Sequence, residues 1–225
     1  MHLNSRILEK TSEPNKISLG VIILAGGKSS RMKSNKVFLK INGEPLLMHV
    51  VRETSKISDH IIVAIGKYDK EEDYASILPR FVKIIHDKTE TKAASYGMLT
   101  GLEAIETDYA IILAVDTPFI NINVIKQLHL EVQGFDTAIP IWPNGNIEPL
   151  FAVYNVAATL VAVRNAVKEG EVRIKDVINK LSHINYVSIE RFTDSATKFN
   201  CFFNINTPED FKNAEQALRR KHSTK

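Results

Sequence analysis

Cysteine occurs once in 225 residues, at Cys201. A single thiol excludes an internal disulfide framework and fits a reducing cytoplasm, where Cys201 is expected to be a buried small hydrophobe. Charge of one sign is also scarce. The net formal charge is +3, too small to argue for a nucleic-acid partner. The basic tail LRRKHSTK is accounted for as a positive complement to the dipole of a last helix. No apolar run approaches the about 20 residues that a membrane span needs, so no membrane partner is expected. Residues 1–16, MHLNSRILEKTSEPNK, lack the apolar stretch of a signal peptide. Pro14 and the Ser/Thr/Glu mix interrupt any period there, and the segment reads as a flexible N-terminal extension. Internal repeats and low-complexity segments are missing too.

What is present is an alternation of apolar β-rich runs with helical patterns. LGVIILA (19–25), HIIVAIG (60–66), FVKIIHD (81–87) and YAIILAVD (109–116) read as strands. Helical patterns fall at 45–57, 68–78, 96–105 and 121–133. The strands are continuously apolar rather than alternating, which implies burial on both faces and hence a parallel sheet with helix crossovers: an α/β protein. Ligands of such sheets bind at the carboxyl ends of the strands. Gly26, Gly27, Gly66, Asp87 and Asp116 hold those positions. Beyond residue 134 a Pro-Asn-Gly-Asn turn between two extended runs predicts a hairpin. Helices are expected at 157–170, with Gly170 as C-cap, at 173–181, and at 206–221, where Thr207 caps and Pro208 opens the first turn. A strand is expected at 184–190. The second half is read as completing the same domain.

The segment VIILAGGKSSRMKSNK, residues 21–36, resembles a phosphate loop at first sight. Walker A needs a glycine five positions before its Gly-Lys pair. The pair is Gly27-Lys28, and position 22 is Ile22, inside the strand, so the P-loop NTPase reading fails on spacing. What remains still favours polyphosphate. Gly26 and Gly27 let backbone N–H groups face a ligand. Ser29 and Ser30 add donors, and Arg31 and Lys36 add a bidentate clamp and a point charge.

Asp116 ends the most apolar strand. A carboxylate there is costly unless paired or on a metal, and Mg²⁺ held by one or two carboxylates with substrate phosphates is the usual arrangement. A turn-capping role is the plainer alternative. Asn204 and Asn206 lie two apart in FFNINTPEDF, so in an extended segment they point to one side. For Asn206, turn chemistry ahead of the helix is the simpler reading.

Together these pieces resemble the molybdenum cofactor guanylyltransferase family (molybdopterin-guanine dinucleotide biosynthesis protein A). The family opens on L-A-G-G-x-S-x-R-M-G-x-D-K followed by G-x-P-L-L, and the chain has LAGGKSSRMKSNKVFLKINGEPLL. AVDTPFI is similar to its C-D-x-P-F, GMLTG to its G-P-L-A-G, EPLFAVY to its P-L-F-A-V-Y and FFNINTPEDF to its N-x-N-T-P-E-D-L. The matches span about residues 19–213 in the family's order.

The resemblance implies a three-layer Rossmann-like nucleotidyltransferase fold with a mostly parallel central sheet flanked by helices. Residues 17–225 would form one nucleotidyltransferase domain, with a nucleotide-binding half over about 17–120 and an acceptor-binding half over about 121–215. It implies transfer of GMP from GTP to molybdopterin with release of pyrophosphate, dependent on Mg²⁺. Leu24, Ala25, Gly26 and Gly27 would line the nucleotide, with Gly97 allowing close backbone approach. Arg31 and Lys36 would hold the triphosphate, and Asp116 the Mg²⁺. Asp87 would accept from the guanine N1–H and amine, while Asn204 and Asn206 would face the acceptor. Molybdenum-insertion or molybdoenzyme-maturation proteins are the protein partners such a role implies.

The chain departs from the family pattern in four places. Lys33 stands for a glycine, Asn35 for an aspartate, Gly66 where an asparagine near the base is frequent, and Met98 for a proline. They bear on base selectivity. The alternatives left open are CTP on molybdopterin, an NTP on a sugar or polyol phosphate, and a catalytically silent nucleotide-binding homologue.

Overall fold

The computed structural model describes residues 18–26, 35–91, 93–192 and 201–223. Its centre is a seven-stranded sheet. Five strands come from the runs that the sequence marks: β1 (Leu19–Leu24), β4 (Ile61–Ile65), β5 (Lys83–His86), β6 (Tyr109–Ala114) and β9 (Ile184–Ser188). The other two, β7 (Thr137–Ile141) and β8 (Phe151–Asn155), form the expected hairpin, and Gly145 in its turn takes φ +82°. A minute second sheet, β2 (Lys40–Ile41) with β3 (Glu44–Pro45), lies outside the sequence expectations.

The strand order is β5-β4-β1-β6-β8-β7-β9. The pairs β4–β5, β1–β4, β1–β6 and β7–β9 are parallel, whereas β8 runs antiparallel to both β6 and β7. The sheet is thus mostly parallel, as the unbroken apolar runs require. Successive residues of β1 serve opposite faces: Val21 and Ile23 join one core, Ile22 and Leu24 the other.

Helices cover both faces. On the side of Val21, α1 (Leu46–Thr54) buries Leu47, Val50 and Val51, and α4 (Ile122–Glu131) buries Val124, Ile125 and Leu128. On the side of Ile22, α3 (Ala94–Ala104), α5 (Val156–Lys168) and α6 (Ile174–Ile178) pack on the sheet with Met98, Leu102, Val163 and Val177. Gly101 is required there, because a Cβ would come within 2.4 Å of Ile22 Cγ2. Gly170 ends α5 as expected: its φ is +77°, its N–H donates to Val167 O, and the Glu171 N–H donates to Ala166 O, a Schellman closure.

The last helix, α7 (Pro208–Ser223), starts on a reciprocal cap. Thr207 Oγ1 accepts from the Asp210 N–H, and Asp210 Oδ2 accepts from the Thr207 and Asn206 N–H groups. The helix expected at 68–78 shrinks to α2 (Glu71–Ala75). Its start is displaced because residues 66–69 form a turn, with the Asp69 N–H on Gly66 O. Cys201 is buried as expected, and burial pushes its thiol up to about 12. Among the described residues no helix is long and apolar enough to cross a membrane.

Candidate active site

Parallel strands end on the same edge, so the residues after β1, β4, β5 and β6 converge. They surround a cavity of about 480 Å³. Leu24, Ala25, Gly26, Lys36, Asp87, Gly97 and Asp116 all line it, although they come from well-separated parts of the chain. Gly27 and Arg31 lie outside the described residues, as do Lys28 and Lys33.

One end of the cavity is built around an ion pair. Lys36 Nζ donates to Asp116 Oδ2 at 2.9 Å and to Asn206 Oδ1 at 3.3 Å. The two charged side chains are 14% and 20% exposed, so solvent screens them only partly. Lys36 sits at the start of a 3-10 turn, residues 36–38, whose N-cap is Asn35: its Oδ1 accepts from the Val37 N–H at 3.2 Å. The departure from aspartate at this position therefore keeps the capping oxygen and removes only a charge. Asp116 follows β6 by two residues. Its carbonyl accepts from the Ile205 N–H at 2.9 Å, which fastens the 201–206 segment to the site.

Asn206 and Asn204 part company. Asn206 reaches Lys36, whereas the Asn204 side-chain amide donates to Phe202 O at 3.2 Å. The pattern of two residues on one side assumed a strand. Residues 203–206 have no strand partner, so nothing enforces that alternation.

The other end of the cavity carries Asp87. Its backbone N–H is fixed on Ile65 O at 2.8 Å, but its buried Oδ1 has no hydrogen-bond partner among the described residues. Burial pushes the carboxyl up to about 6. Thr100 and His86 pull it down, and the charge of Asp69 adds to the rise. A half-buried acceptor without a donor is costly unless a ligand supplies one. Gly97 keeps the neighbouring wall low: a Cβ there would stand 3.2 Å from Leu24 Cδ2 and 3.7 Å from Asp87 Oδ1. Gly26 serves a backbone crossing, since a Cβ on it would meet the Gly66 N at 3.0 Å.

The sequence reading missed several residues that line the same cavity, among them Asp69, Val37, Ala93 and Leu150. Asp69 lies in a loop of mixed charges, LysTyrAspLys, with no local signal that separates it from its neighbours. Ala93 and Ala94 begin α3 two residues earlier than expected, which sets the helix N-terminus, with its unpaired N–H groups, against the cavity.

Chemically the arrangement offers a cation and a carboxylate at one end and a dry acceptor at the other. Asp116 keeps a second carboxylate oxygen beyond the one on Lys36. Among the described residues no group of three or more His, Cys, Asp or Glu side chains gathers to hold a metal. A single carboxylate suits Mg²⁺, which retains waters and takes the remaining ligands from substrate phosphates.

A family model described as the MobA-like NTP transferase domain matches residues 21–184. The chain is 33% identical to a probable molybdenum cofactor guanylyltransferase of Natranaerobius thermophilus, over 89% of the chain and 97% of that protein. It is 30% identical to another of that name from Natronomonas pharaonis, over 88% and 96%. Its fold superposes on the crystal structure of molybdopterin-guanine dinucleotide biosynthesis protein A from Archaeoglobus fulgidus with a TM-score of 0.74 and 24% identity, covering 89% of this chain and 99% of that one.

Proposed function

We propose that this chain, which belongs to the MobA-like NTP transferase family and is a nucleotidyltransferase, transfers GMP from GTP to molybdopterin. The products are the guanine dinucleotide cofactor and pyrophosphate. The observation that carries the choice of guanine is Asp87: a buried carboxylate oxygen that faces the base end of the cavity and lacks a donor. The guanine N1–H and 2-amino group are donors, and a carboxylate is acceptor-only, so the two match. Cytosine has a single donor group on its pairing edge, the 4-amine, beside two acceptors that the carboxylate would repel.

The chemistry asks little of a base. The acceptor is a phosphate, already anionic, and its oxygen attacks the α-phosphorus of GTP as the bond to the β-phosphate oxygen breaks and pyrophosphate leaves. Two anions must be brought into line and their charge offset, so catalysis is positioning and electrostatics. Lys36 supplies positive charge beside the reacting phosphates. Asn35 holds the lysine's turn, and Asn206 and Asp116 hold its ammonium. Arg31 is assigned to the departing pyrophosphate. Asp116 would hold Mg²⁺, which when bound offsets phosphate charge. Asn204 and Asn206 flank the acceptor side.

A cytoplasmic setting fits the lone, buried Cys201, and proteins that insert molybdenum or mature molybdoenzymes are the natural clients. The deciding experiment is pyrophosphate release with molybdopterin and Mg²⁺ for GTP, CTP, ATP and UTP in parallel. Turnover with GTP well above the others is expected. Turnover with CTP alone would replace the guanylyl reading, and nucleotide binding without any turnover would replace the enzymatic one.

A further inference from the structure

We infer that Asp69 is a second base-reading carboxylate, which takes one N–H of the guanine 2-amino group while Asp87 takes the other together with N1–H. The inference rests on the guanylyl reading above and deepens it. Its starting point is Gly66, the position after β4 that carries no side chain. The space beside it is filled by Asp69: a Cβ on Gly66 would lie 3.2 Å from Asp69 Oδ2. Asp69 thus brings a polar group to the place a longer side chain at 66 would have served.

The Asp69 carboxylate is fixed by one oxygen and open at the other. Oδ2 accepts from the Gly66 N–H at 3.0 Å and from the Tyr74 hydroxyl at 2.9 Å. Oδ1 has no hydrogen-bond partner among the described residues. A turn residue would need the Gly66 bond only; the Tyr74 hydroxyl is an additional device. Tyr74 is 1% exposed, and burial raises its phenol above the ordinary range, so it stays a proton donor. Its oxygen also accepts from Asn35 Nδ2 at 3.4 Å, and Phe38 packs on its ring at 5.2 Å. Asp69 is therefore clamped through a buried side chain to the same turn that carries Lys36.

Among the described residues neither carboxylate stands in an ion pair; His86, which lowers the Asp87 carboxyl, has its Nε2 on Glu71 Oε2 at 3.3 Å. Lys67 has its ammonium on Glu90 Oε1 at 3.4 Å and Lys88 on Glu103 Oε2 at 2.5 Å, while Lys70, next to Asp69, is exposed. Asp69 and Asp87 both line the cavity, and the charge of Asp69 is felt at Asp87. Two acceptor-only groups side by side call for a ligand edge with at least three N–H donors. Guanine has that edge, with N1–H and two amino hydrogens. Hypoxanthine lacks the amine, and cytosine offers only its own amine beside acceptors.

The test uses the full chain with molybdopterin and Mg²⁺, and compares kcat/KM for GTP, ITP and N2-methyl-GTP. The wild-type protein is expected to use ITP and N2-methyl-GTP each at least about tenfold less well than GTP, since a hydrogen bond to a charged group is at stake. Methylation leaves one amino N–H for Asp87 and places carbon against Asp69. Asp69→Asn should lower the GTP/ITP ratio about tenfold, and Tyr74→Phe should lower it by a smaller factor in the same direction. Ready use of N2-methyl-GTP by the wild-type protein, or an unchanged GTP/ITP ratio in Asp69→Asn, would overturn the role of Asp69 and leave guanylyl transfer standing. A wild-type enzyme that does not use GTP at all would instead remove the reading on which the role rests. The wild-type comparison with N2-methyl-GTP decides the matter even where Asp69→Asn fails to fold.

Discussion

The two ends of the sheet use their polar and aromatic side chains in opposite ways. Over β5, β4, β1 and β6 the carboxyl edge is left open: Gly26, Gly66 and Gly97 withhold side chains, and Asp87 and Asp69 each keep a carboxylate oxygen without a donor among the described residues. Over β8, β7 and β9 the same edge is filled. Phe202 meets Phe151, Trp142 and Phe192 at centroid distances of 5.2, 6.1 and 6.3 Å. The Trp142 indole donates to Glu148 Oε1 at 2.6 Å. One end keeps unsatisfied groups ready for a ligand; the other spends its groups on itself and gains rigidity.

The largest effect that sharpens this contrast is structural. Phe202→Ala at the filled end should cost about 3–5 kcal/mol, the range for emptying a packed aromatic site. In a chain of this size that is a fall in Tm of roughly 10 °C, readable by calorimetry, while the order of preference among nucleotides stays as in the wild-type protein. A large change in nucleotide preference with little change in Tm would erase the distinction between the two ends.

Next come Lys36→Ala and Asp116→Ala at the open end. Each removes one electrostatic stabiliser and should lower GMP transfer on the order of 10²-fold or more. Near wild-type transfer in both variants would strip Lys36 and Asp116 of their part in offsetting phosphate charge.

The smallest effect is a pH dependence. Asp87 has its carboxyl raised to about 6 in the free protein, and protonation removes its charge and turns one of its oxygens into a donor, which pairs poorly with two N–H donors. Nucleotide affinity should therefore weaken as pH falls through about 6, by up to tenfold per unit. Calorimetric titration of the wild-type protein against Asp87→Asn cancels the titration of the nucleotide's own phosphates. Stability runs with the opposite sign. A carboxyl raised on folding is penalised once ionised, so stability is lost as pH rises from about 4 to about 6 and stays lost above. Asp87→Asn should raise Tm at pH 7.5 and hardly change it at pH 4. A pH-independent difference between the two proteins would show that Asp87 carries no such penalty.

Much of the architecture was legible beforehand because it follows from local periodicity. Runs such as AIILAV imply strands buried on both faces, and such strands imply a mostly parallel sheet with helices between them. Gly170 and Thr207 announced the ends of α5 and α7 because their cap chemistry is local. The helix expected at 68–78 is shorter in the structure because its first residues are claimed by a turn, held by the Asp69 side chain on the Gly66 N–H, that depends on where β4 ends.

Within the site, the motif residues from Leu24 to Gly26 and Lys36, Asp87, Gly97 and Asp116 are brought together around one cavity. Asn204 was expected beside Asn206 and is found with its amide on Phe202. Asp69, Tyr74 and Leu150 were invisible because their importance comes from what they face.

The sequence by itself determined that this is an α/β protein with a glycine-opened, basic segment after its first strand and an aspartate after its fourth. Periodicity, turn chemistry and motif order act over a few residues at a time and are written into the chain directly. Only the tertiary structure decided that Lys36, Asp116 and Asn206 share one contact across 170 positions. It also decided that β8 pairs antiparallel with β6, and that Asp69 stands in the space left by Gly66. Those facts depend on which strand edges meet and which side chains burial leaves without partners.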